Sequence, residues 1–550
     1  MKKALLLIGV LAASFAQAQV LYVNNSDGTY QAIATENSGD ITFNEEQQLI
    51  RIELEGGIAS QFATSKITNV APTSNNGTEL TYNLNPTVAF NAADKDKYNE
   101  IIETVVTDVD DDESGDFVEN FKTSRIITIT FSETGVSSTS LPDGVTATIN
   151  GGHIVIKSTL SKIGYKVTGS CSNGSLKIYS DKKFQIMMQS LDLTNPTGPA
   201  INIQSGKTVY FTLLTNSNNT LCDGATYSAP VVGSNGEAED QKGTLFSEGQ
   251  LIFNGTGKLN VTSYGGHAIC SDDYIKVRGG NINILSAAKD GFRTKEKFFI
   301  GRTADYAPTI TINATSNGIE CTEGFLTIEA GKLDITAGGE AIKVEYEESD
   351  PTITPDAYIK GGYIKLTTTG EKSSAIQTTR NYTQSGGIIE ATVNGNGSKI
   401  INCDGTAIFS GGKLTGIANG TVASDETSAG GIKCAGNIEI SNCTIAIDCK
   451  GKGAKAINCD KNVIVNSGEA TLLATAEDYT AIADDKKTRA ITADAITVNG
   501  GTVVAKAYDN ALSSNVAINI NGGVVNAYST NSIALDIEAT QTGGWLLTKD

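Results

Sequence analysis

The chain has 550 residues, a formal net charge of −19 at pH 7, and 58 Gly against 9 Pro and 1 Trp. Such an acidic chain lacks the basic surface that phosphate binding requires, and we therefore expect no nucleic-acid partner. Abundant Gly with little Pro favours many short strands and tight turns over helices.

The chain opens with MKKALLLIGVLAASFAQAQ, in which two lysines precede an apolar run and Ala16-Gln17-Ala18 offers small residues for cleavage. This pattern is typical of a secretory signal peptide, and we predict residues 1–18 as the signal, cleaved near Ala18. The protein is then expected in the periplasm, at the cell surface or outside the cell. No later apolar run reaches the length of a membrane-spanning helix, so no transmembrane segment is expected.

Residues 19–104 predict a small β-rich module, because DGTYQAIATENSGDITFNEEQQLIRIELEGG (27–57) alternates in the manner of hairpin strands. Residues 105–121 follow as an acidic stretch that includes DVDDDESGDF (108–117). Such a run is most often a solvated linker. A helix-loop-helix calcium loop is disfavoured here, because the ligand spacing fails and no helices flank it.

Residues 122–550 are dominated by an internal repeat. Examples are AICSDDYIKVRGGNINI (268–284), GIECTEGFLTIEAGKLDI (318–335) and AIQTTRNYTQSGGIIEA (375–391). Each unit runs from an Ala/Gly-Ile pair to a turn that is usually Gly-Gly, and contains two or three strand-like stretches. A period of 20–30 residues without helical segments predicts an all-β, right-handed parallel β-helix.

Stacked coils place equivalent residues in ladders about 4.8 Å apart. One ladder contains cysteines, two places after the Ile of each unit: Cys321, Cys403, Cys434 and Cys459. Alternation from the buried Ile points this position inward, where thiols act as small apolar groups. Parallel stacking gives unsuitable Cβ directions for disulfides, so we favour free thiols over bridges, although Cα spacing alone would allow a bridge.

Acidic residues form two further ladders. Three successive coils have an acid at the fourth residue after the apolar second position, namely Asp273, Glu296 and Glu323. The residue before the Gly/Ala–apolar pair gives His267, Asp290, Asn317 and Glu340, and Glu320 lies between the two ladders. Hard oxygen ligands favour Ca²⁺. We therefore predict calcium ligands among Asp273, Asp290, Glu296, Asn317, Glu320, Glu323 and Glu340, against the alternative that nearby lysines pair with these acids as ordinary surface groups.

Catalysis has less support, and no catalytic residue is assigned. His153 and His267 are the two histidines of the chain. His267 with Asp290 could form a base and its orienting partner, but no nucleophile of suitable spacing accompanies them. For elimination from a uronide, Arg293, Lys295, Lys297 or Lys343 could act as a base of lowered pKa beside a cation.

Three stretches resemble a known family: DFVENFKTSRIITITFS (116–132), YKVTGSCSNGSLKIYSDKKFQIMMQSLDLTNPTGPAINIQ (165–204), and the run that ends in AAKDGFRTKEKFFI (287–300). They resemble secreted bacterial carbohydrate-binding β-helix domains, which are similar in fold to the family 9 pectate lyases. The resemblance implies calcium binding and recognition of cellulose-like or acidic, pectin-type polysaccharides. That family's Asp-Asp-Gly-Ile corner is kept only in part, as Lys289-Asp290-Gly291-Phe292.

The leading hypothesis is a secreted, monomeric protein that binds polysaccharide with the help of calcium and does not cleave it. A calcium-dependent pectate-type lyase is the first alternative. A structural or adhesive surface solenoid is the second, since the fold does not decide the function.

Overall fold

The computed structural model describes residues 20–96, 113–233, 236–346, 348, 350–482 and 485–550. The predicted signal peptide and residues 105–112 of the predicted linker lie outside this part of the chain. Two compact units are present. The terminal unit comprises Met1–Phe90, Gly395–Ile401 and Gly405–Asp550, and the central unit comprises Asn91–Asn394 and Asn402–Asp404. None of the helices in the described residues has the length and apolar character of a membrane-spanning segment.

The central unit is a stack of coils that place their strands in three parallel rows. The first row contains Gly152–Ser158, Gly174–Ser180, Ile201–Gln204, Gly243–Ser247, His267–Ser271, Phe292–Thr294, Ile319–Cys321, Ile342–Val344 and Ile376–Thr378. The second row contains Val209–Leu213, Leu251–Gly255, Ile275–Val277, Phe298–Ile300, Leu326–Ile328, Ala357–Ile359 and Tyr382–Gln384. The third row contains Asn218–Asp223, Lys258–Ser263, Asn281–Ala287, Thr309–Ala314, Lys332–Ala337, Tyr363–Thr368 and Ile388–Val393.

The first coils of this unit are less regular. The long strands Ile163–Cys171 and Phe184–Asn195 run beside each other in parallel. Arg125–Ser132 with Gly135–Ser138, and Val145–Asn150 with Gly152–Ser158, form antiparallel pairs. Short 3-10 helices span Glu113–Asp116, Val118–Asn120 and Ala304–Tyr306.

The register of the first row follows the repeat. Ile269 pairs with Phe292, Phe292 with Ile319, and Ile319 with Ile342, and all four side chains are fully buried. Each such buried side chain contributes about 1.5–3 kcal/mol relative to exposure. The predicted parallel β-helix is therefore confirmed, and apolar stacking between coils is what holds it together.

The predicted inward ladder of small residues is also confirmed. Ser271, Thr294 and Cys321 occupy one register position in the central unit, and Cys434 pairs with Cys459 in the terminal unit. All five side chains are buried. The nine cysteines all have free thiols.

The terminal unit repeats the three-row arrangement. Its first-row strands are Lys399–Cys403, Gly430–Cys434 and Lys455–Cys459, and its second-row strands are Ala407–Phe409, Ile438–Ile440, Asn462–Val465 and Ala539–Gln541. Two longer strands each run through both the first and the second row, namely Arg489–Val498 and Leu512–Ile520. The third row contains Lys413–Ala418, Thr444–Cys449, Glu469–Ala474, Thr502–Ala507, Val524–Ser529 and Trp545–Lys549.

The recurrent Gly-Gly of the repeat marks the turn into a third-row strand. Its second glycine has a positive φ at Gly280, Gly362, Gly387, Gly412, Gly501, Gly523 and Gly544. Side chains disfavour this backbone region, so glycine is favoured at this corner, and Asn442 takes the positive φ in one of the coils that lack it.

Seven strands begin the terminal unit: β1 Val20–Asn25, β2 Thr29–Ala34, β3 Ser38–Asn44, β4 Leu49–Leu54, β5 Ile58–Ala63, β6 Ile67–Ala71 and β7 Thr78–Glu79. A 3-10 helix, Thr35–Asn37, joins β2 to β3. The order β6-β1-β2-β7 forms one sheet. Strands β3, β4 and β5 form antiparallel pairs, and β5 then pairs antiparallel with Trp545–Lys549.

These strands share a core with the last coils. Leu21, Ile52 and Phe62 pack in one cluster with Tyr528 and Trp545. The β-rich character predicted for this segment is confirmed, whereas its contact with the C-terminal strands was not predicted. Trp545 is about 1% exposed and is therefore not a surface on which a sugar could stack.

Candidate functional site

The first corner of the central unit precedes the first-row strands. Backbone hydrogen bonds join its coils: Ala268 N to Asp290 O at 3.0 Å, Gly291 N to Asn317 O at 2.9 Å and Gly318 N to Glu340 O at 2.9 Å. His267, Asp290, Asn317 and Glu340 therefore follow one another on neighbouring coils, as the repeat predicts.

Asp290 is the centre of this first corner and is 3% exposed. Its Oδ2 lies 2.8 Å from His267 Nδ1, and its Oδ1 accepts a 2.9 Å hydrogen bond from the backbone N–H of Asn317. Burial alone would raise the pKa of Asp290, but its interaction with His267 holds that pKa below its usual value. Asn317 Oδ1 in turn accepts the backbone N–H of Glu340 at 3.0 Å.

Glu320 lies beside the first corner, on the outer face of a first-row strand. Asn317 Nδ2 donates to its Oε1 at 3.0 Å, Arg293 Nε lies 3.0 Å from its Oε2, and Lys343 Nζ lies 3.6 Å from its Oε1. Burial, followed by the charge of Asp290, raises the pKa of Glu320 to about 7. The carboxylates of Asp290 and Glu320 thus already have side-chain partners in His267, Arg293 and Lys343.

The second corner follows the first-row strands and contains Asp273, Glu296 and Glu323. The backbone N–H of Glu296 donates to Asp273 O at 3.3 Å, so these residues also lie on neighbouring coils. Burial, followed by the charge of Asp273, raises the pKa of Glu296. Glu323 Oε1 lies 3.5 Å from Lys295 Nζ, in a pair that is largely exposed and therefore weak. The seven predicted ligands thus divide between two corners.

Three further acids lie near the second corner: Asp240, Glu248 and Asp272. Ligand oxygens of the three lie within 4.8 Å of one another. Burial, followed by the charges of Asp272 and Asp240, raises the pKa of Glu248 to about 7. Lys242 Nζ lies 2.8 Å from Asp240 Oδ2 and 2.5 Å from Asp272 Oδ2, so an ammonium already serves as their counter-ion.

Sequence reasoning missed these three acids. Ser247 pairs with Ser271, so Glu248 and Asp272 occupy the same place on adjacent coils, and this signal was present in the repeat. Asp240 lies in the connection before a first-row strand, where no repeat position marks it. We refer to Asp240, Glu248, Asp272, Asp273, Glu296 and Glu323 together as the acidic corner.

An aromatic patch adjoins the acidic corner on the second-row face. Phe325 lies edge-on to Phe299, with ring centroids 5.4 Å apart, and edge-on to Tyr358 at 6.0 Å. Lys297 Nζ lies 5.3 Å from the Phe325 ring. Phe325 and Tyr358 are half-buried, and Phe325 follows Glu323 by two residues. The Glu323 carboxylate and the Phe325 ring are therefore carried by the same turn.

Residues 115–121, part of the predicted acidic linker, pack on the same face nearer the start of the chain. Asp116 forms an ion pair with the buried Lys276, and accepts a 2.9 Å hydrogen bond from Tyr274 Oη. The Phe117 ring lies 5.7 Å from the Arg278 guanidinium and 5.0 Å from that of Arg302. Asp116 and Phe117 of the predicted linker therefore pack on the coils, whereas Gly115, Glu119 and Asn120 are exposed.

The candidate bases show little sign of activation for proton abstraction. Burial disfavours the charged forms of Arg293 and Lys343, yet neighbouring acids, Glu320 for Arg293 and Glu345 for Lys343, raise the pKa of each above its usual value. A base for elimination needs the opposite shift. Lys295 lies in the exposed pair with Glu323.

The rows and corners define the class of this molecule, an all-β protein built as a parallel β-helix. A family described as carbohydrate-binding domain-containing protein matches residues 150–478 and 427–532. Because these segments span more than half of the chain, the protein belongs to this family.

Among solved structures, the polysaccharide lyase-like protein from C. thermocellum, as a gadolinium derivative, aligns over 52% of this chain and 96% of its own. The sequence identity is 21% and the TM-score is 0.38. No curated protein matches the chain.

Proposed function

We propose that the protein binds polysaccharide at the second corner, with the aromatic patch as the sugar platform and the acidic corner as a calcium site. The observation that supports this most directly is the juxtaposition of Glu323 and Phe325 on one turn. Aromatic rings offer apolar faces for the C–H groups of sugars, and a bound cation would attract sugar oxygens. Family membership supports the carbohydrate as the ligand.

Calcium fits the donor set of the acidic corner better than that of the first corner. In the first corner the Asp290 carboxylate already contacts the His267 ring, and the Glu320 carboxylate already contacts the Arg293 guanidinium. In the second corner the ionisation of Glu296 is opposed by Asp273, and a cation would remove that opposition. Oxygen ligands from turns are what Ca²⁺ requires, and Asp273, Glu296 and Glu323 would supply them.

An acidic, pectin-type glycan is the proposed ligand, and a cellulose-like glycan is the alternative. A chain with a net charge of −19 repels an anionic polymer unless a cation bridges the two. Calcium bound at the acidic corner would bridge the protein to uronate groups, while Phe325 and Tyr358 contact the sugar rings. Secretion is part of this proposal, and N-terminal sequencing of the exported protein would test the cleavage near Ala18.

The test is a glycan array probed with calcium and again with EDTA, followed by calorimetry with polygalacturonate. The variant Phe325→Ala/Tyr358→Ala should weaken binding by about tenfold or more, equivalent to at least about 1.4 kcal/mol. Tyr264→Ala is the matched control, because Tyr264 is 59% exposed and lies outside the patch. Unchanged affinity in the double variant would refute the platform, and binding that survives EDTA would refute the calcium bridge.

The lyase alternative is tested in the same samples. Elimination from polygalacturonate creates an unsaturated product that absorbs in the ultraviolet, so a rising absorbance with calcium would establish cleavage. A structural or adhesive role predicts no binding anywhere on the array and no effect of calcium on the melting temperature beyond that of ionic strength.

A further inference from the structure

We propose that a cleft in the terminal unit binds an uncharged sugar chain without the help of calcium. The cleft lies where the third row ends, between strands β3 to β5 and residues 533–539 of the last coil. The acidic corner belongs to the central unit, so the cleft is a second site, and its class of glycan goes beyond the proposed function.

One wall of the cleft is formed where a single register position changes from apolar to polar residues. In the third row Val525 pairs with Leu546, and both side chains are buried. Gln61 on β5 pairs with Leu546, and Arg51 on β4 pairs with Gln61. Thr42 on β3 then pairs with Arg51. Because directly paired residues point to the same face of a sheet, the inward apolar ladder continues as an amide, a guanidinium and a hydroxyl.

The last coil contributes apolar side chains to the cleft. Leu535 and Ile537 are half-buried, and Ile533 is 52% exposed. Leu49 and Leu546 add apolar surface from the sheet. A sugar ring has C–H groups on its faces and hydroxyls around its edge, so aliphatic side chains facing a row of hydrogen-bonding groups suit it.

The size and the charge of the cleft favour an uncharged sugar. Its volume is about 440 Å³, and sites for small molecules usually have roughly 300–1,000 Å³. Carboxylates of Asp536, Glu538 and Asp550 line it, against one guanidinium, that of Arg51. This excess of negative charge disfavours a uronate. The second segment matched by the carbohydrate-binding family, residues 427–532, ends directly before the coil residues of the cleft, which supports a sugar as the ligand.

The polar wall keeps donors and acceptors available for a ligand. Arg51 Nε lies 2.8 Å from Glu53 Oε1, in a pair whose side chains are 41% and 39% exposed, and such a pair is weak. Gln61 donates through Nε2 to Gln541 Oε1 at 3.1 Å. Within the described part of the chain, the terminal nitrogens of Arg51, the Oε1 of Gln61 and the hydroxyl of Thr42 have no hydrogen bond.

Glu538 supplies a further acceptor. Gln47 Nε2 donates to its Oε1 at 3.1 Å, and its Oε2 has no hydrogen bond to the residues that the structure describes. A sugar hydroxyl both donates and accepts, so it can donate to this carboxylate and accept from the Arg51 guanidinium. The cleft therefore combines room, apolar surface and both kinds of hydrogen-bonding group.

The cleft is tested by labelling the arginines of the intact protein with phenylglyoxal in EDTA and measuring each one by peptide mass spectrometry. Cellohexaose, xylohexaose and mannohexaose are the uncharged probes. A probe at about ten times its Kd leaves roughly a tenth of the clefts free, so at least one should slow the labelling of Arg51 about tenfold. Arg380 is the matched control, because its side chain is 46% exposed, against 41% for Arg51, in a pair with Asp356 of the central unit.

Protection of Arg51 but not of Arg380 supports the cleft, and unchanged labelling with all three probes overturns it. Hexagalacturonate in EDTA should leave Arg51 unprotected, and equal protection by this acidic probe would overturn the preference for an uncharged sugar.

Calorimetry with the protecting probe gives a second measurement on two variants. Thr42→Trp places a large ring in the cleft from an exposed position and should weaken binding about tenfold or more. Thr540→Trp is its control, because Thr540 is exposed and alternates with Ala539, which lines the cleft. Equal affinity in the two variants would place the sugar elsewhere and overturn the cleft.

The variant Phe325→Ala/Tyr358→Ala separates the cleft from the proposed function. Protection of Arg51 should persist in this variant, and its loss would overturn a second site. Protection of Arg51 in a protein that shows no calcium-dependent binding of polygalacturonate would sustain the cleft and refute the proposed function, so the two can fail separately.

Discussion

The indole N–H of Trp545 donates a 2.7 Å hydrogen bond to Ser60 Oγ across 485 residues of sequence. Ser60 Oγ in turn donates to Gln31 Oε1 at 2.6 Å. Strand β2, strand β5 and the last strand of the third row are therefore joined by one buried chain of polar contacts. All three side chains are at most 2% exposed, so water cannot replace these partners.

Shortening Trp545 should destabilise the terminal unit. Trp545→Phe removes the hydrogen bond and leaves part of a packed cavity empty, at a cost of about 2–3 kcal/mol in the free energy of unfolding. Ser60→Ala should cost about 1–2 kcal/mol, because the indole N–H loses its acceptor. Urea denaturation followed by circular dichroism measures both, with the exposed Ser26→Ala as a control. Equal midpoints for Ser60→Ala and Ser26→Ala would contradict the proposed contribution.

Replacing His267 should lower the free energy of unfolding, because His267 is the partner of the buried Asp290 in the first corner. In His267→Gln, the buried Asp290 carboxylate loses the ring partner at its Oδ2, which should cost about 1–3 kcal/mol in the free energy of unfolding at pH 7. The folded pKa of Asp290 lies below its unfolded value of 3.8, so its contribution is present above that pH and is lost as the pH falls further. His153→Gln serves as the control, because His153 is half-buried and its Nδ1 has a hydrogen bond to the uncharged Ser175 Oγ. The idea fails if the two variants are equally stable at pH 7.

The division of the predicted ligands between two corners leads to a third prediction. Glu296→Gln/Glu323→Gln should abolish the rise in melting temperature caused by calcium, whereas Asp290→Asn should lower the starting stability and leave the rise in place. Asp334→Asn is the charge-matched control for Asp290→Asn, since Asp334 lies in an exposed pair with Lys365. Differential scanning calorimetry with and without calcium distinguishes these outcomes, and a rise lost only in Asp290→Asn would move the site to the first corner.

The raised pKa of Glu248 should make the free energy of unfolding depend on pH when EDTA keeps metal ions away from the acidic corner. Its folded pKa of about 7 lies above the unfolded value of 4.5, so ionisation is penalised fully above pH 7 and not at all below pH 4.5. Glu248→Gln should therefore match the wild type at pH 4 and exceed its stability by about 1–2 kcal/mol at pH 8. A constant difference across this range would show that charge is not the cause.

The lowered pKa of Lys455 predicts a pH dependence of the free energy of unfolding that is opposite in sign to that due to Glu248. Its folded pKa of about 8 lies below the unfolded value of 10.5, so the cost of keeping it charged is greatest below pH 8 and disappears by pH 10.5. In chloride buffer, Lys455→Met should be more stable than the wild type by up to about 3 kcal/mol at pH 6, and less so at pH 9.

The coil register could be predicted because it follows from spacing alone. Ile269, Phe292 and Ile319 repeat at one position, and once they are aligned the places of Asp273, Glu296 and Cys321 follow. The positions of the Gly-Gly turns follow in the same way. A repeat specifies which residues stack, and in a parallel β-helix that is most of the fold.

The remaining contacts depend on segments outside the repeat. Asp240 and Asp116 reach their partners from connections whose path no ladder specifies. The pairing of β5 with Trp545–Lys549 joins residues almost 490 positions apart, and alternation alone cannot identify such a partner. Lys242 meets Asp272 through side-chain reach, whereas Arg293 and Glu320 share one register position on adjacent coils, so the repeat spacing alone could have paired them.

The antiparallel pairing of β5 with Trp545–Lys549 also means that the core around β5 is completed only after the last strand has been synthesised. Strands β1 to β5 are synthesised before the C-terminal strands, yet the cluster that buries Leu21, Ile52 and Phe62 is completed by Tyr528, Trp545 and Leu547 near the end of the chain. The N-terminal strands cannot bury this cluster completely until the final coil is present. Contacts between segments so distant in sequence are slow to form. Once formed, this pairing covers the free edge of the last coil, an edge on which another chain could otherwise add a strand. An N-terminal strand thus caps the C-terminal end of the third row.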